Sequence, residues 1–99
     1  IQTALKINAI AEAAGHRCMI GCFGESRLAL SAAAHLALAR PNITFLDLDS
    51  AYQFVEDPVQ GGMRYDDQIG GVIHITDTPG LGATFDESHL ALDFVFNGE

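Results

Sequence analysis

The chain has 99 residues, 48% of them hydrophobic and 18% charged, so it contains at most one globular domain with a modest core. Thirteen acidic residues against five Lys and Arg give a formal net charge of −8. Because the basic residues form no stripe, this balance argues against nucleic acid as a partner.

The chain shows neither a membrane segment nor a targeting segment. No run reaches the roughly 20 apolar residues that a membrane span needs, and no charged-then-apolar leader opens the sequence. We therefore expect a soluble, cytoplasmic protein without a membrane partner. Cys18 and Cys22 lie in an apolar run without a second Cys pair or a nearby His pair to complete a zinc site. Reduced, buried thiols are predicted.

Residues 1–14 are predicted to form a helix that Gly15 ends as a C-cap. Its apolar stripe consists of Ala4, Ile7, Ile10, Ala11 and Ala14. No capping residue precedes Ile1, which indicates that the chain begins within a larger structure. In that case the stripe would lack its partners and would be exposed.

The next segment predicts a strand, a loop and a second helix. Residues 17–23 are short, apolar and bounded by glycines, which is typical of a parallel strand covered on both faces. Residues 24–26 form the loop, and Ser26 is the predicted N-cap of a helix over residues 27–39 that Pro41 ends. Six alanines allow this helix to lie close against a sheet.

A second apolar run, residues 43–50, contains two carboxylates one residue apart, Asp47 and Asp49. In a strand both would point the same way, with Cα atoms roughly 6 to 7 Å apart. Such a pair is tolerated most easily where a cation lies between the acids. In the alternative interpretation, one Asp caps a turn and the other is solvated.

The order helix, strand, helix, strand predicts an α/β fold with a parallel sheet. The two strands predicted here are too few to form such a sheet by themselves. The chain is therefore either a small irregular domain or a piece of a larger barrel. After Ser50 the pattern changes, and residues 63–65 and 69–76 predict an antiparallel hairpin that ends at the turn 77–80.

Two motifs of the chain resemble those of phosphate-binding or phosphate-cleaving proteins. The segment 21–26 before a helix resembles a phosphate loop, but its glycines are two residues too close and Glu25 stands where the lysine must be. A phosphatase of the haloacid-dehalogenase type uses a D-x-D nucleophile, which Asp47 and Asp49 match. Ala51 departs from that pattern, and no lysine follows to hold the phosphoryl group.

Five motifs in order carry a third interpretation that covers the chain to about Glu87. They are Ala4-Leu5-Lys6 with Ala11-Glu12-Ala13-Ala14-Gly15, then Met19-Ile20-Gly21-Cys22-Phe23-Gly24-Glu25-Ser26, Ala32-Ala33-Ala34-His35-Leu36, Asp47-Leu48-Asp49 and Pro79-Gly80-Leu81-Gly82. This set resembles the C-terminal part of enolase-superfamily enzymes, within the muconate-lactonizing subgroup, and specifically the dipeptide epimerases.

The resemblance implies the last part of a (β/α)7β barrel and a return into an α+β capping domain. Residues 1–52 would supply the sixth helix, the seventh strand and helix and the eighth strand, and residues 53–99 would belong to the cap. The implied reaction is a Mg²⁺-dependent epimerisation by two lysines through an enediolate. The resemblance puts those lysines and the metal ligands upstream, so no catalytic or metal residue is expected here. Lys6, the single lysine, is not the base.

Substrate binding is what the resemblance maps onto this chain. Asp47 and Asp49 match the D-x-D that binds the α-ammonium group of a dipeptide. Cys22 and Phe23 match pocket positions on the seventh strand, where methionine is common in place of Phe23. The alternatives are another superfamily member acting on a carboxylate substrate, a phosphatase-like domain, and a non-catalytic binding fragment. Homo-oligomeric assembly is compatible with each.

Overall fold

The computed structural model describes residues 1–89, so the predictions for residues 90–99 lie outside the described residues. The helices and strands are α1 (Gln2–Ala13), β1 (Cys18–Ile20), α2 (Arg27–Leu38), β2 (Ile43–Leu46), β3 (Val59–Gly61), β4 (Arg64–Tyr65), β5 (Ile73–His74) and β6 (Ala83–Phe85). Short 3₁₀ helices span Ser50–Gln53 and Glu87–His89. Among residues 1–89, no helix is both long enough and apolar enough to cross a membrane.

Helix α1 ends as its sequence predicts. Gly15 has a φ of +73°, and its N–H donates to the Glu12 carbonyl at 3.0 Å. The His16 N–H donates to the Ala11 carbonyl at 2.8 Å. These two bonds form a Schellman motif, which satisfies helix carbonyls that would otherwise lack partners. The predicted C-cap role of Gly15 is confirmed.

The apolar stripe of α1 is largely uncovered within residues 1–89. Ile7 is 60% exposed and Ile10 is 72% exposed. The buried residue of this helix is Asn8, whose Nδ2 donates to Asn42 Oδ1 at 2.8 Å. The described residues provide α1 with a polar contact near β1 and do not cover its apolar side, as expected for a helix without its full set of neighbours.

Strands β1 and β2 pair in parallel, with Met19 opposite Phe45 and Ile20 opposite Leu46. The predicted parallel pair is therefore confirmed, although β1 is shorter than residues 17–23. Both-face cover is not observed in the described residues, because Met19, Phe45 and Leu46 are exposed. Since β2 ends at Leu46, Asp47 and Asp49 lie just beyond the strand, which corrects their predicted position within it.

Helix α2 packs against β2, and Ile20 of β1 borders the core cluster to which this helix contributes. Ser26 occupies its N-cap position, as predicted, with no side-chain capping hydrogen bond. The core cluster consists of Leu30, Ala34, Leu48, Ala51 and Met63. It joins α2 to the residues that follow β2 and to residues 59–85, which pass back over the helix and are called the returning segment. The prediction that the alanine-rich helix packs closely against a sheet is confirmed.

The returning segment forms two antiparallel pairs, β3 with β6 and β4 with β5. The second is the predicted hairpin, with Arg64 opposite His74 and Tyr65 opposite Ile73. The fully buried Met63 connects this segment to α2, since its N–H donates to Ser31 Oγ at 2.8 Å.

Cys18 and Cys22 are both free and half-buried. The prediction that both thiols are buried is therefore wrong. The Cys18 thiol accepts hydrogen bonds from the side-chain amides of Asn8 and Asn42. The Cys22 thiol donates a hydrogen bond to the Asp49 carboxylate.

Candidate functional site

The carboxylates of Asp47 and Asp49 converge with the thiol of Cys22. One ligand atom from each of the three residues lies within 4.8 Å of the others. Leu48, between the two acids, is only 3% exposed and belongs to the core cluster, whereas the carboxylates on either side of it converge outside the core. Cys22 Sγ donates to Asp49 Oδ1 at 3.7 Å. The structure thus brings together three of the four residues predicted for the site.

The backbone around the two acids is tied to neighbouring elements. The Asp47 N–H donates to the Ile20 carbonyl at 2.8 Å, which extends the β1–β2 pairing by one residue. The buried hydroxyl of Ser50 donates to the Glu25 carbonyl at 3.1 Å. These bonds hold the segment against the strand and against the loop that precedes α2.

A pocket of about 470 Å³ opens beside the two carboxylates. Its walls are mainly apolar and aromatic, and they come from the end of β2, the following 3₁₀ helix and the β4–β5 hairpin. With Asp47 and Asp49, these walls include Leu46, Leu48, Tyr52, Tyr65, Val72 and Ile73. Apolar walls with a few convergent polar groups are typical of small-molecule sites.

Tyr52 and Tyr65 stack in this pocket, with ring centroids 4.0 Å apart and an interplanar angle of 21°. The Tyr65 hydroxyl donates to the Leu48 carbonyl at 2.6 Å. Burial raises the pKa of Tyr65, and the nearby Asp49 carboxylate acts in the same direction. Neither tyrosine is predicted from the sequence, because neither stands in a motif and Tyr65 reaches the site only through the pairing of β4 with β5.

Phe23 is placed differently from the other predicted site residues. Its side chain is 99% exposed and does not line the pocket described above. Its N–H donates to Glu25 Oε2 at 2.6 Å, and this bond is the main reason that the pKa of Glu25 is lowered. An ionised Glu25 in this loop would repel phosphate, in agreement with the rejection of a phosphate loop.

The cluster suits an ammonium group better than Mg²⁺. Mg²⁺ requires octahedral coordination by oxygen ligands, whereas the third donor here is a half-buried thiol. Asp47, Asp49 and Cys22 therefore do not fit the metal that the resemblance implies. An ammonium group carries one positive charge and three N–H donors, which two neighbouring carboxylates can accept together.

Most of the chain is similar in sequence to one family of known proteins. Residues 1–89 match the family model described as Enolase C-terminal domain-like. The D-Ala-D/L-Ala epimerase of Cytophaga hutchinsonii is 42% identical over 91 residues, covering 92% of this chain and 24% of that protein. The L-Ala-D/L-Glu epimerase of Clostridium acetobutylicum is 45% identical over 82 residues, covering 83% of this chain and 22% of that protein.

A solved structure shows the same relationship. The dipeptide epimerase from Cytophaga hutchinsonii, crystallised with Mg and the dipeptide D-Ala-L-Val, matches with a TM-score of 0.83 and 41% identity. The match covers 91% of this chain and 24% of that chain. The chain thus spans about a quarter of the length of the proteins it matches.

Proposed function

The chain belongs to the enolase C-terminal domain-like family, and we propose that it is the C-terminal part of a dipeptide epimerase. Its α/β fold is that of the enolase superfamily. Identity of 42–45% to curated dipeptide epimerases supports the proposed activity. In the proposed arrangement residues 1–52 belong to a barrel and residues 53–99 to a capping domain.

The proposed reaction inverts the α-carbon of a dipeptide through an enediolate. Proton removal on one face needs a base, and proton return on the other face needs an acid. Both groups are assigned to parts of the protein outside this chain. Lys6 is on the exposed side of α1 and is not assigned to proton transfer. Because the Asp47, Asp49 and Cys22 cluster does not fit Mg²⁺, the metal site is also assigned elsewhere.

The contribution of this chain is recognition of the substrate amino terminus. The observation that carries this assignment is the convergence of the Asp47 and Asp49 carboxylates beside an apolar pocket. An α-ammonium group would accept no hydrogen bonds and would donate to both acids in charge-assisted contacts. Cys22 borders that position. Phe23 lies outside the pocket formed by residues 1–89, and it is proposed to contact the substrate only together with residues from other parts of the protein.

This charge pattern also distinguishes the alternatives. A superfamily substrate without an ammonium group gains nothing from two adjacent carboxylates, and an anionic substrate end is repelled by them. Family membership removes the phosphatase-like alternative, which requires an unrelated fold.

The test uses the complete protein with Asp49→Asn. The lost contact, worth roughly 1.5 to 3 kcal/mol, is far from the carbon that loses its proton and changes little between ground and transition states. We therefore expect KM to rise about 10- to 100-fold and kcat to fall much less. Asp77→Asn is the matched control, since Asp77 is exposed and does not line the pocket.

N-acetylation of the dipeptide gives the decisive comparison. Acetylation removes the ammonium charge, so it should lower kcat/KM of the wild type greatly and kcat/KM of the Asp49→Asn variant only slightly. If the wild type turns over acetylated and free dipeptides equally well, Asp47 and Asp49 do not bind an ammonium group, and the proposed function is wrong.

A further inference from the structure

The peptide that joins Leu48 to Asp49 is held by a residue distant in sequence. The Leu48 carbonyl accepts a hydrogen bond from the Tyr65 hydroxyl at 2.6 Å, and the Leu48 side chain is part of the core cluster. We propose that Tyr65 is a positioning residue that orients Asp49 toward the substrate ammonium group. This inference rests on the proposed function of the two carboxylates.

The geometric reason is the planarity of the peptide bond. The Leu48 carbonyl and the Asp49 N–H lie in one plane, so a carbonyl with a fixed direction also fixes the plane from which the Asp49 side chain departs. Rotation of this peptide would turn the Asp49 carboxylate away from Asp47. The buried Leu48 side chain restricts one side of the peptide, and the Tyr65 hydroxyl restricts the other.

Tyr65 is itself held in place. Its ring stacks on Tyr52 and packs against the core, and its backbone pairs with Ile73 in the β4–β5 hairpin. The next residue, Asp66, accepts hydrogen bonds from the Gln68 and Ile69 N–H groups at 2.9 and 2.8 Å. The hydroxyl therefore reaches Leu48 from a constrained hairpin.

The protonation state agrees with a donor role. Burial raises the pKa of Tyr65 above its ordinary value of 10.0, so the hydroxyl keeps its proton at neutral and mildly alkaline pH. In this state it donates to the Leu48 carbonyl.

The test is Tyr65→Phe in the complete protein, which removes one oxygen atom and keeps the ring. We expect KM for the free dipeptide to rise about 3- to 10-fold, with kcat within about twofold of wild type. The values for the N-acetylated dipeptide should not change, because the acetylated substrate has no ammonium group for Asp49 to bind. In the Asp49→Asn background, Tyr65→Phe should add no further effect.

Ser31→Ala is the control for a general loss of stability. It removes a buried hydroxyl that accepts a bond from the Met63 N–H, away from the pocket. It should lower the melting temperature and leave the preference for free over acetylated dipeptide unchanged.

The outcomes separate this inference from the proposed function. Suppose that the wild type prefers the free dipeptide. If Tyr65→Phe keeps that preference, or raises KM for the free and the acetylated dipeptide equally, then Tyr65 does not position Asp49, and the ammonium site stands. If the wild type shows no preference, the ammonium site and the inference both fail.

Discussion

Arg27, the first residue of α2, forms an ion pair with Asp57 and also binds the backbone of the returning segment. Its guanidinium donates to the carbonyls of Gly61 and Met63 at 2.7 and 2.6 Å, and to the Val59 carbonyl. One side chain therefore satisfies three backbone acceptors. This set of contacts attaches the start of the 53–99 segment to α2.

We expect Arg27→Met in the complete protein to lower the free energy of unfolding by about 2 to 4 kcal/mol, because the carbonyls of the buried residues Val59 and Met63 lose their donor. Asp57→Asn should cost about 0 to 1 kcal/mol, since the Asp57 side chain is 34% exposed. Its bond from the Val59 N–H can also be kept by asparagine. Urea unfolding measures both values. Equal losses would show that the ion pair, and not the carbonyl contacts, holds the segment.

Gly62 tests how closely the returning segment approaches α2. Its φ is +70°, and a Cβ atom there would lie 2.5 Å from Ser31 Oγ and 2.8 Å from the Ala83 Cβ. Gly80 has a similar φ of +72°, but within residues 1–89 its Cβ would meet no atom within 4 Å. The two glycines thus share a backbone conformation and differ in available space.

Gly80→Ala should therefore cost about 1 to 2 kcal/mol for the left-handed conformation alone. Gly62→Ala should cost about 1 to 3 kcal/mol more, because Ser31 or Ala83 must move. Thermal or urea unfolding of the complete protein measures the difference. Equal losses for the two variants would mean that α2 and this turn are not in close contact.

The hydrogen bond between Asp66 and His74 predicts that the fold loses stability in acid. His74 Nε2 lies 2.7 Å from Asp66 Oδ2, and this hydrogen bond is the largest cause that lowers the pKa of Asp66 from 3.8 to about 2. Backbone N–H groups of Gln68 and Ile69 act in the same direction. Because the folded-state pKa is lowered, ionised Asp66 stabilises the fold above about pH 4. That stabilisation is lost as the pH falls from about 4 to about 2.

The test compares unfolding of wild type and Asp66→Asn between pH 6 and pH 2. The wild type should be more stable at pH 6, and the difference should shrink below pH 4. Asp67→Asn is the control, because the Asp67 side chain makes no hydrogen bond within the described residues. A difference that stays constant to pH 2 would contradict the contribution of the Asp66 carboxylate.

The parts of the fold that the sequence predicts well are those set by local patterns. Gly15 ends α1 because a left-handed cap requires little beyond glycine at that position. Strand alternation predicts that Asp47 and Asp49 share a side, and their carboxylates do converge, although β2 ends before them. Cys22 joins them because parallel strands bring their carboxyl ends to one edge.

The remaining features depend on contacts between distant segments. Tyr65 reaches Leu48 only through the β4–β5 pairing and the core, so no spacing in the sequence marks it. Asn8 is buried while Ile10 is exposed, because burial depends on which partner surfaces are present. Arg27 likewise finds its carbonyl partners in a turn more than thirty residues away.

The exposed apolar surface predicts how the 99-residue chain behaves when it is prepared alone. Ile7 and Ile10 on α1 and Met19 on β1 have large exposed side chains. In the proposed complete barrel these surfaces are covered. The isolated chain should therefore aggregate or behave as a molten globule, with ANS binding and weak near-UV circular dichroism.

Ile10→Lys tests this expectation in both contexts. In the isolated chain it should reduce ANS binding and aggregation, because it removes exposed apolar surface. In the complete protein it should lower the free energy of unfolding by at least about 2 kcal/mol, since it removes a covered side chain and introduces a charge there. Gln2→Lys, which adds the same charge at an exposed polar position off the stripe, should have neither effect. A monomeric isolated chain with a sharp cooperative melt, or a complete protein that tolerates Ile10→Lys, would show that this face of α1 has no partner in the complete protein.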